Sequence, residues 1–197
     1  MSVYRNEKED DTDATAVTES RAGRSAAAEL RDWLKSIAVA LAIVVFLNLY
    51  VFNLSTVRGH SMEPTLKERE WLFVNKLAYR IGEPKRGDVV VLRDPDPNTG
   101  KQYLVKRIVA VPGDEVEIRG GVLYVNGEPV NEPYTDHRIE DGDIGPIVIE
   151  KDHYFVMGDN RHRGASKDSR MFGQVAEKSI QGRADFILWP LHEAGGL

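Results

Sequence analysis

Residues Ile37–Leu54 read IAVALAIVVFLNLYVFNL, an uncharged run in which only Asn48 and Asn53 are strongly polar. Coiled as a helix at about 1.5 Å per residue, it spans roughly 27 Å, close to the ~30 Å hydrocarbon core of a bilayer. Extension back to Trp33 and Leu34 closes the gap, and Lys35 can snorkel to the headgroups. A soluble core helix normally keeps a polar face, and this run has none. A cleaved secretory signal has a shorter apolar run and ends in a small-x-small site, whereas Leu54-Ser55-Thr56-Val57 follows here. Residues 33–54 therefore read as an uncleaved membrane anchor. Arg21, Arg24, Arg31 and Lys35 precede it closely, against Arg58, Lys67 and Arg69 after it. Long following domains translocate regardless of charge, so the N-terminus is predicted inside and residues 55–197 outside.

Residues 1–20 carry six acids and almost no large apolar side chain, so residues 1–32 are expected to be a disordered cytoplasmic tail. With Lys+Arg 26 against Asp+Glu 31, the net charge of −5 argues against a general nucleic-acid binder. The absence of Cys excludes a disulfide scaffold, a thiolate metal site and a cysteine nucleophile.

Beyond the anchor the pattern is β. Trp71–Asn75, Asp88–Leu92, Gln102–Val111, Val116–Ile118, Val122–Val125, Ile147–Ile149, Tyr154–Met157 and Phe186–Trp189 are short runs rich in β-branched and aromatic residues. Turn signals at Gly87-Asp88, Pro95–Gly100, Pro112–Asp114, Gly120-Gly121, Asn126-Gly127, Gly142–Gly145 and Gly158-Asp159 separate them. The pair Gly120-Gly121 between two such runs predicts a tight hairpin. The fold class expected is mainly β, a barrel or folded-sheet domain over residues 55–197, with a hairpin-rich insert at 115–152 and one N-terminal transmembrane helix.

The sequence holds no Gly-Lys-Ser/Thr phosphate loop, no His-Glu-x-x-His and no Ser-x-x-Lys. Its five His, at 60, 137, 153, 162 and 192, show no metal-ligand spacing, so no metal is expected, and no Gly-x-Gly-x-x-Gly points to an organic cofactor. His60 adjoins Ser61, and neighbours on an extended chain point to opposite faces, which makes it a poor base for that serine.

Four islands stand out: Gly59-His60-Ser61-Met62-Glu63-Pro64-Thr65-Leu66, Arg86–Val91, Lys106–Asp114, and Met157–Arg161 followed by Ser166–Arg170. In this order behind one anchor they resemble the bacterial type I signal peptidases, membrane-anchored Ser/Lys proteases that cut signal peptides from exported proteins. The resemblance covers about residues 30–190. It implies Ser61 as nucleophile, Lys106 as general base and Ser166 as the serine that orients the lysine amine. Asp159, Arg161, Asp168 and Arg170 match polar scaffolding that holds the last island against the first. Met62 matches the methionine beside the nucleophile, and the strands that carry Gly59 and Leu104 match those flanking an extended substrate. The fold it implies is the signal-peptidase β domain.

Elementary chemistry is consistent with those roles. A serine hydroxyl needs a base within reach, and a lysine is no base until burial favours its neutral form. In the run Tyr103–Val109, strand alternation puts Leu104, Lys106 and Ile108 on one face, so Lys106 is predicted to point inward and Arg107 to solvent. Where some family members place a Ser or Thr hydroxyl two residues before the nucleophile, this chain has Gly59, which leaves the Ser61 backbone N–H as the oxyanion donor. The link His162-Arg163-Gly164-Ala165 is about two residues longer than the family's usual one, and it leads directly into Ser166.

The resemblance further implies cleavage after small residues of the Ala-x-Ala type. Its implied partners are the signal peptides of secreted preproteins, the lipid bilayer and a neighbouring Sec translocon, with no nucleic acid. Its implied location is the bacterial cytoplasmic membrane, crossed once, with the catalytic domain outside. Two rivals stand beside this reading. A non-catalytic, membrane-anchored binding module would tolerate loss of Ser61 and Lys106. A self-cleaving Ser/Lys regulator would carry an interaction domain where this chain has its apolar run.

Overall fold

The computed structural model describes residues 26–96 and 102–197. The expected tail lies outside the described residues as far as residue 25, as do Arg21, Arg24 and most of the Pro95–Gly100 turn. By its internal contacts the chain divides into residues 1–44 and 45–197.

Helix α1 covers Ala26–Tyr50 and buries none of its residues, with apolar side chains exposed along its length. At about 1.5 Å per residue it is about 37 Å long, enough to cross a bilayer. It differs from the expected 33–54 at both ends. Residues 26–32, read as tail, continue the helix; Ala26, Ala27, Ala28, Glu29, Leu30 and Arg31 are good helix formers. At the other end the helix stops at Tyr50, and Phe52–Thr56 forms strand β1. Strand β1 pairs antiparallel with β2 (Trp71–Asn75), and Phe52 stacks on Phe73 at 5.2 Å. Cross-strand pairing thus claims the last three residues of the apolar run. Lys76, just past β2, donates to the helix-end carbonyl of Asn48 at 2.8 Å, where an ammonium complements the terminal dipole.

The remaining strands are β3 (Val89–Arg93), β4 (Tyr103–Ala110), β5 (Glu115–Arg119), β6 (Val122–Val125), β7 (Glu128–Pro129), β8 (Ile144–Val148), β9 (His153–Met157), β10 (Val175–Ala176), β11 (Ile180–Trp189) and β12 (Gly195–Gly196). Two one-turn helices, α2 (Ala78–Ile81) and α3 (Ser169–Phe172), interrupt them. Every strand pair described is antiparallel. The larger sheet runs β1-β2-β11-β3-β4-β9-β10, with β12 on β11, and the smaller runs β7-β6-β5-β8. The mainly β fold class read from alternation is the one observed. The Gly120-Gly121 hairpin joins β5 to β6 with φ of 57° and 76°, the left-handed pair a tight two-residue turn demands.

Three apolar clusters hold these layers. Val57, Met62, Leu66, Leu72 and Val74 pack with Val89, Val91 and Ile187 on one side of the large sheet. Val90, Leu92, Leu104, Ile108 and Val156 pack on the other. Val109, Phe155 and Met157 meet Val116, Ile118, Leu123 and Ile139, which joins the small sheet to the β4–β9 end of the large one. Each such side chain, fully buried, contributes about 1.5–3 kcal/mol, so the small sheet is welded on rather than merely tethered.

Candidate active site

Strand β4 is the central element. Lys106 lies opposite Val90 on β3 and is 2% exposed. Its Nζ is 2.5 Å from Ser61 Oγ, in a hydrogen bond that joins residues 45 positions apart. Apolar walls on both sides of the strand explain the burial: Leu104 and Ile108 share the lysine's face, and Met62, 1% exposed, follows Ser61 into the core. Removing an ammonium from water disfavours its charge.

Ser61 and Lys106 line a cleft of about 580 Å³. One wall is the chain from Leu54 to Gly59, and the other is Gln102–Lys106. The residues of β4 that pair with β9 begin at Arg107, and among the described residues Tyr103–Val105 has a strand neighbour on the β3 side alone. On the other wall, β1 is an edge strand. Two strand edges therefore face the same cleft. Gly59 has φ 91°, a conformation that favours glycine, and its N–H donates to Glu68 at 3.3 Å. Among the described residues the Ser61 backbone N–H meets no acceptor. His60 turns away from the serine and hydrogen-bonds Glu63 at 2.8 Å.

The Gly158–Arg161 turn clamps the serine from behind. Asn160 N–H donates to Ser61 O at 3.1 Å, and its Nδ2 donates to His60 O at 3.0 Å. A methyl group on Gly158 would fall on Ser61 O and on the Ser166 side chain, so both press on this glycine. Ser166, 3% exposed, donates its hydroxyl to Asp168 Oδ2 at 2.7 Å, which leaves the oxygen's lone pairs for an acceptor role. The same carboxylate accepts from Gly158 N–H at 2.9 Å and from Arg170 Nη2 at 2.7 Å. Burial works against the Asp168 charge, but the bonds from Arg170, Ser166 and Gly158 outweigh it and hold its carboxyl below the ordinary aspartate value.

Arg107 corrects the alternation reading. It is not solvent-facing but 8% exposed, and its Nε and Nη2 fork onto Asp159 at 2.9 and 2.7 Å. The face that alternation assigns to water is covered by the chain around Tyr134, whose ring lies 4.0 Å from the Arg107 guanidinium. Arg161, fully buried, is gripped on both nitrogens by Glu132 at 2.9 and 2.6 Å, and its Nε donates to Gly158 O at 2.7 Å. Arg86 reaches Asp114 at 2.9 Å, and Gly87 O accepts from Arg107, so all four islands converge.

Sequence reasoning missed Asn160, Arg107, Gly158 and Glu132 as site residues. The first three lie inside the islands already singled out; Glu132 stands alone in a loop with no local signal. The link His162–Ala165 is anchored on its outer side. Arg163 N–H donates to Glu140 at 2.9 Å and Gly164 N–H to Asp141 at 2.8 Å, while Ser166 stays inside.

A buried lysine amine hydrogen-bonded to a cleft-lining serine is an arrangement that can activate a hydroxyl for attack on an acyl carbon. Comparison with known sequences narrows this. The profile of the family described as "Signal peptidase, peptidase S26" matches residues 30–189. A signal peptidase I of Bacillus licheniformis is 37% identical over 174 residues, covering 83% of this chain and 91% of that one. A signal peptidase IB of Staphylococcus aureus is 39% identical over 182 residues, covering 84% and 92%. A crystal structure of a signal peptidase I from Enterococcus faecalis V583 aligns at 30% identity with a TM-score of 0.43, over 52% of this chain and 97% of that one. The chain belongs to the signal peptidase family, peptidase S26. It is a membrane-anchored peptidase of signal-peptide processing.

Proposed function

We propose that this peptidase cleaves exported preproteins after small residues of the Ala-x-Ala type with Ser61 as nucleophile and Lys106 as general base. The observation that carries the reading is the 2.5 Å Lys106–Ser61 contact with the lysine 2% exposed, at the floor of a cleft bounded by two strand edges. The preprotein lies extended in that cleft and pairs with β1 and the Tyr103–Lys106 segment, so alternate side chains meet shallow pockets near Met62 and Leu104. The neutral Lys106 amine takes the Ser61 proton as Oγ attacks the scissile carbonyl carbon. The resulting oxyanion is met by the Ser61 N–H. The ammonium then returns the proton to the leaving amine, and an ester remains on Ser61. Water, deprotonated by the same amine, attacks the ester; as the acyl–Oγ bond breaks, the ammonium returns the proton to Ser61 Oγ and the signal peptide leaves with its new carboxylate.

Ser166, whose hydroxyl donates its hydrogen bond to Asp168, accepts from the lysine amine and aims it at Ser61. Asp159, Arg161, Asp168 and Arg170 keep this set in place. The N-terminus lies on the cytoplasmic side, and the catalytic domain works outside the bacterial cytoplasmic membrane, beside the Sec translocon. The anchor raises the local concentration of substrates that are themselves held in the bilayer.

The test is cleavage of a preprotein with an Ala-x-Ala signal by the full chain in detergent, beside Ser61→Ala and Lys106→Ala. The expected result is correct cleavage by the parent, lost in both variants by at least ~1000-fold. Cleavage that survives Lys106→Ala would assign the base elsewhere. Its loss from a substrate with Lys in place of the small residues tests the specificity.

A further inference from the structure

We propose that Asp136, His137 and His162 form a binding site for a divalent transition metal of the zinc type, outside the catalytic cleft. One ligand atom from each lies within 4.8 Å of the others. The two imidazoles, 25 positions apart in sequence, lie with ring centroids 4.0 Å apart and planes tilted by 40°. Zinc with N and O ligands at about 2.0–2.2 Å needs donor atoms roughly 3.4 Å apart. Asp136 and His137 are exposed and His162 half-buried, so side-chain rotation alone closes the remaining distance.

The backbone around the cluster is already fixed. Glu140 N–H donates to Arg161 O at 3.1 Å, Arg163 N–H donates to Glu140 Oε2 at 2.9 Å, and Gly164 N–H donates to Asp141 Oδ1 at 2.8 Å. These bonds sew the segment that bears His137 to the link that bears His162. Glu140 places its carboxylate 3.7 Å from His137 Nε2 and 3.6 Å from His162 Nδ1. At these ion-pair distances it is placed to become the carboxylate that orients both imidazoles once they turn onto a metal. Two imidazoles and a carboxylate, with a position left for water, suit zinc, cobalt or nickel better than magnesium or calcium. His162 belongs to the link between Arg161 and Ser166, so an ion here ties that link to residues 136–137.

The experiment titrates Co²⁺ into the full chain in detergent and follows the visible ligand-field band, with Zn²⁺ as competitor. His137→Asn and His162→Asn are the variants, each kept only if its thermal unfolding without metal equals the parent's. The expected result is one equivalent of Co²⁺ with an intense low-symmetry spectrum, displaced by Zn²⁺, and affinity reduced at least ~100-fold in each variant. Glu140→Gln should weaken binding by about tenfold and leave the spectrum in place. A weak hexa-aqua spectrum, or binding unchanged by both His substitutions, would overturn the proposal. Metal-free cleavage of a preprotein should be the same in both His variants as in the parent, so failure here is distinct from failure of the Ser/Lys reading.

Discussion

Gly158→Ala isolates the geometry of the site with one added carbon. The new Cβ would stand 2.7 Å from Ser166 Cβ, where ordinary contacts begin at 3.4 Å, and it would overlap Ser61 O and Ser166 Oγ more severely. Neither neighbour is a flexible tip: one is backbone and the other a buried, hydrogen-bonded side chain. The walls must therefore part by about 0.7 Å or more, an overpacking that costs roughly 1–3 kcal/mol of stability. Gly158 N–H is held by Asp168 and its carbonyl by Arg161, so the glycine cannot retreat, and Ser61 and Ser166 must move. A misplacement near 1 Å costs about 100-fold in rate, or ~2.7 kcal/mol at ~1.36 kcal/mol per decade. The assay is kcat/KM on a preprotein substrate in detergent, paired with thermal unfolding. Gly195→Ala is the control, because there the nearest atom to a new Cβ is 4.0 Å away. A folded Gly158→Ala protein with kcat/KM within about threefold of the parent would refute the reasoning, because it would mean the turn is soft.

Two further predictions concern the scaffold. Glu132→Ala leaves the fully buried Arg161 guanidinium without its carboxylate and should cost about 3–5 kcal/mol, read as the shift of a denaturant unfolding curve. A shift below ~1 kcal/mol would mean that solvent reaches Arg161. Asp168, with its folded pKa held below the ordinary value, binds fewer protons folded than unfolded in acid. Its contribution is therefore complete above roughly pH 4 to 5 and is lost as pH falls through the lower folded value. Asp168→Asn should be less stable than the parent at pH 7, with the gap narrowing below about pH 4 in a thermal-unfolding series. A gap that stays constant into strong acid would assign the loss to packing instead of charge.

Much of this fold was legible because strand alternation leaves a local trace. Trp71–Asn75 and Val122–Val125 were bounded to the residue, and the Gly120-Gly121 turn follows from its left-handed requirement. Strand β1 was not legible, since Phe52 and Leu54 continue the apolar run and only pairing with β2 makes them a strand. The two-residue strands β7, β10 and β12 are too short to show any period. Arg107 was read outward because alternation reports which face a side chain takes, not whether a distant loop covers that face. The meeting of Ser61 with Lys106 is a tertiary fact, reached from sequence only through the resemblance of the four islands. Local spacing likewise set His137 and His162 apart, whereas the fold brings their rings within 4.0 Å.

Two contacts behind the cleft tie the large sheet to the segment that follows β7: the ion pair of Arg161, in the Gly158–Arg161 turn, with Glu132, and the Arg107 guanidinium over the Tyr134 ring. The stretch between β4 and β9 looks like an exchangeable cassette in a strand diagram, yet it supplies the counter-charge for the enzyme's own interior. Chimeras between relatives will fold only if this stretch travels together with the arginines it serves. Changes to the length of this stretch are best tolerated in its outer turns, because Glu132 and Tyr134 must keep their places against Arg161 and Arg107.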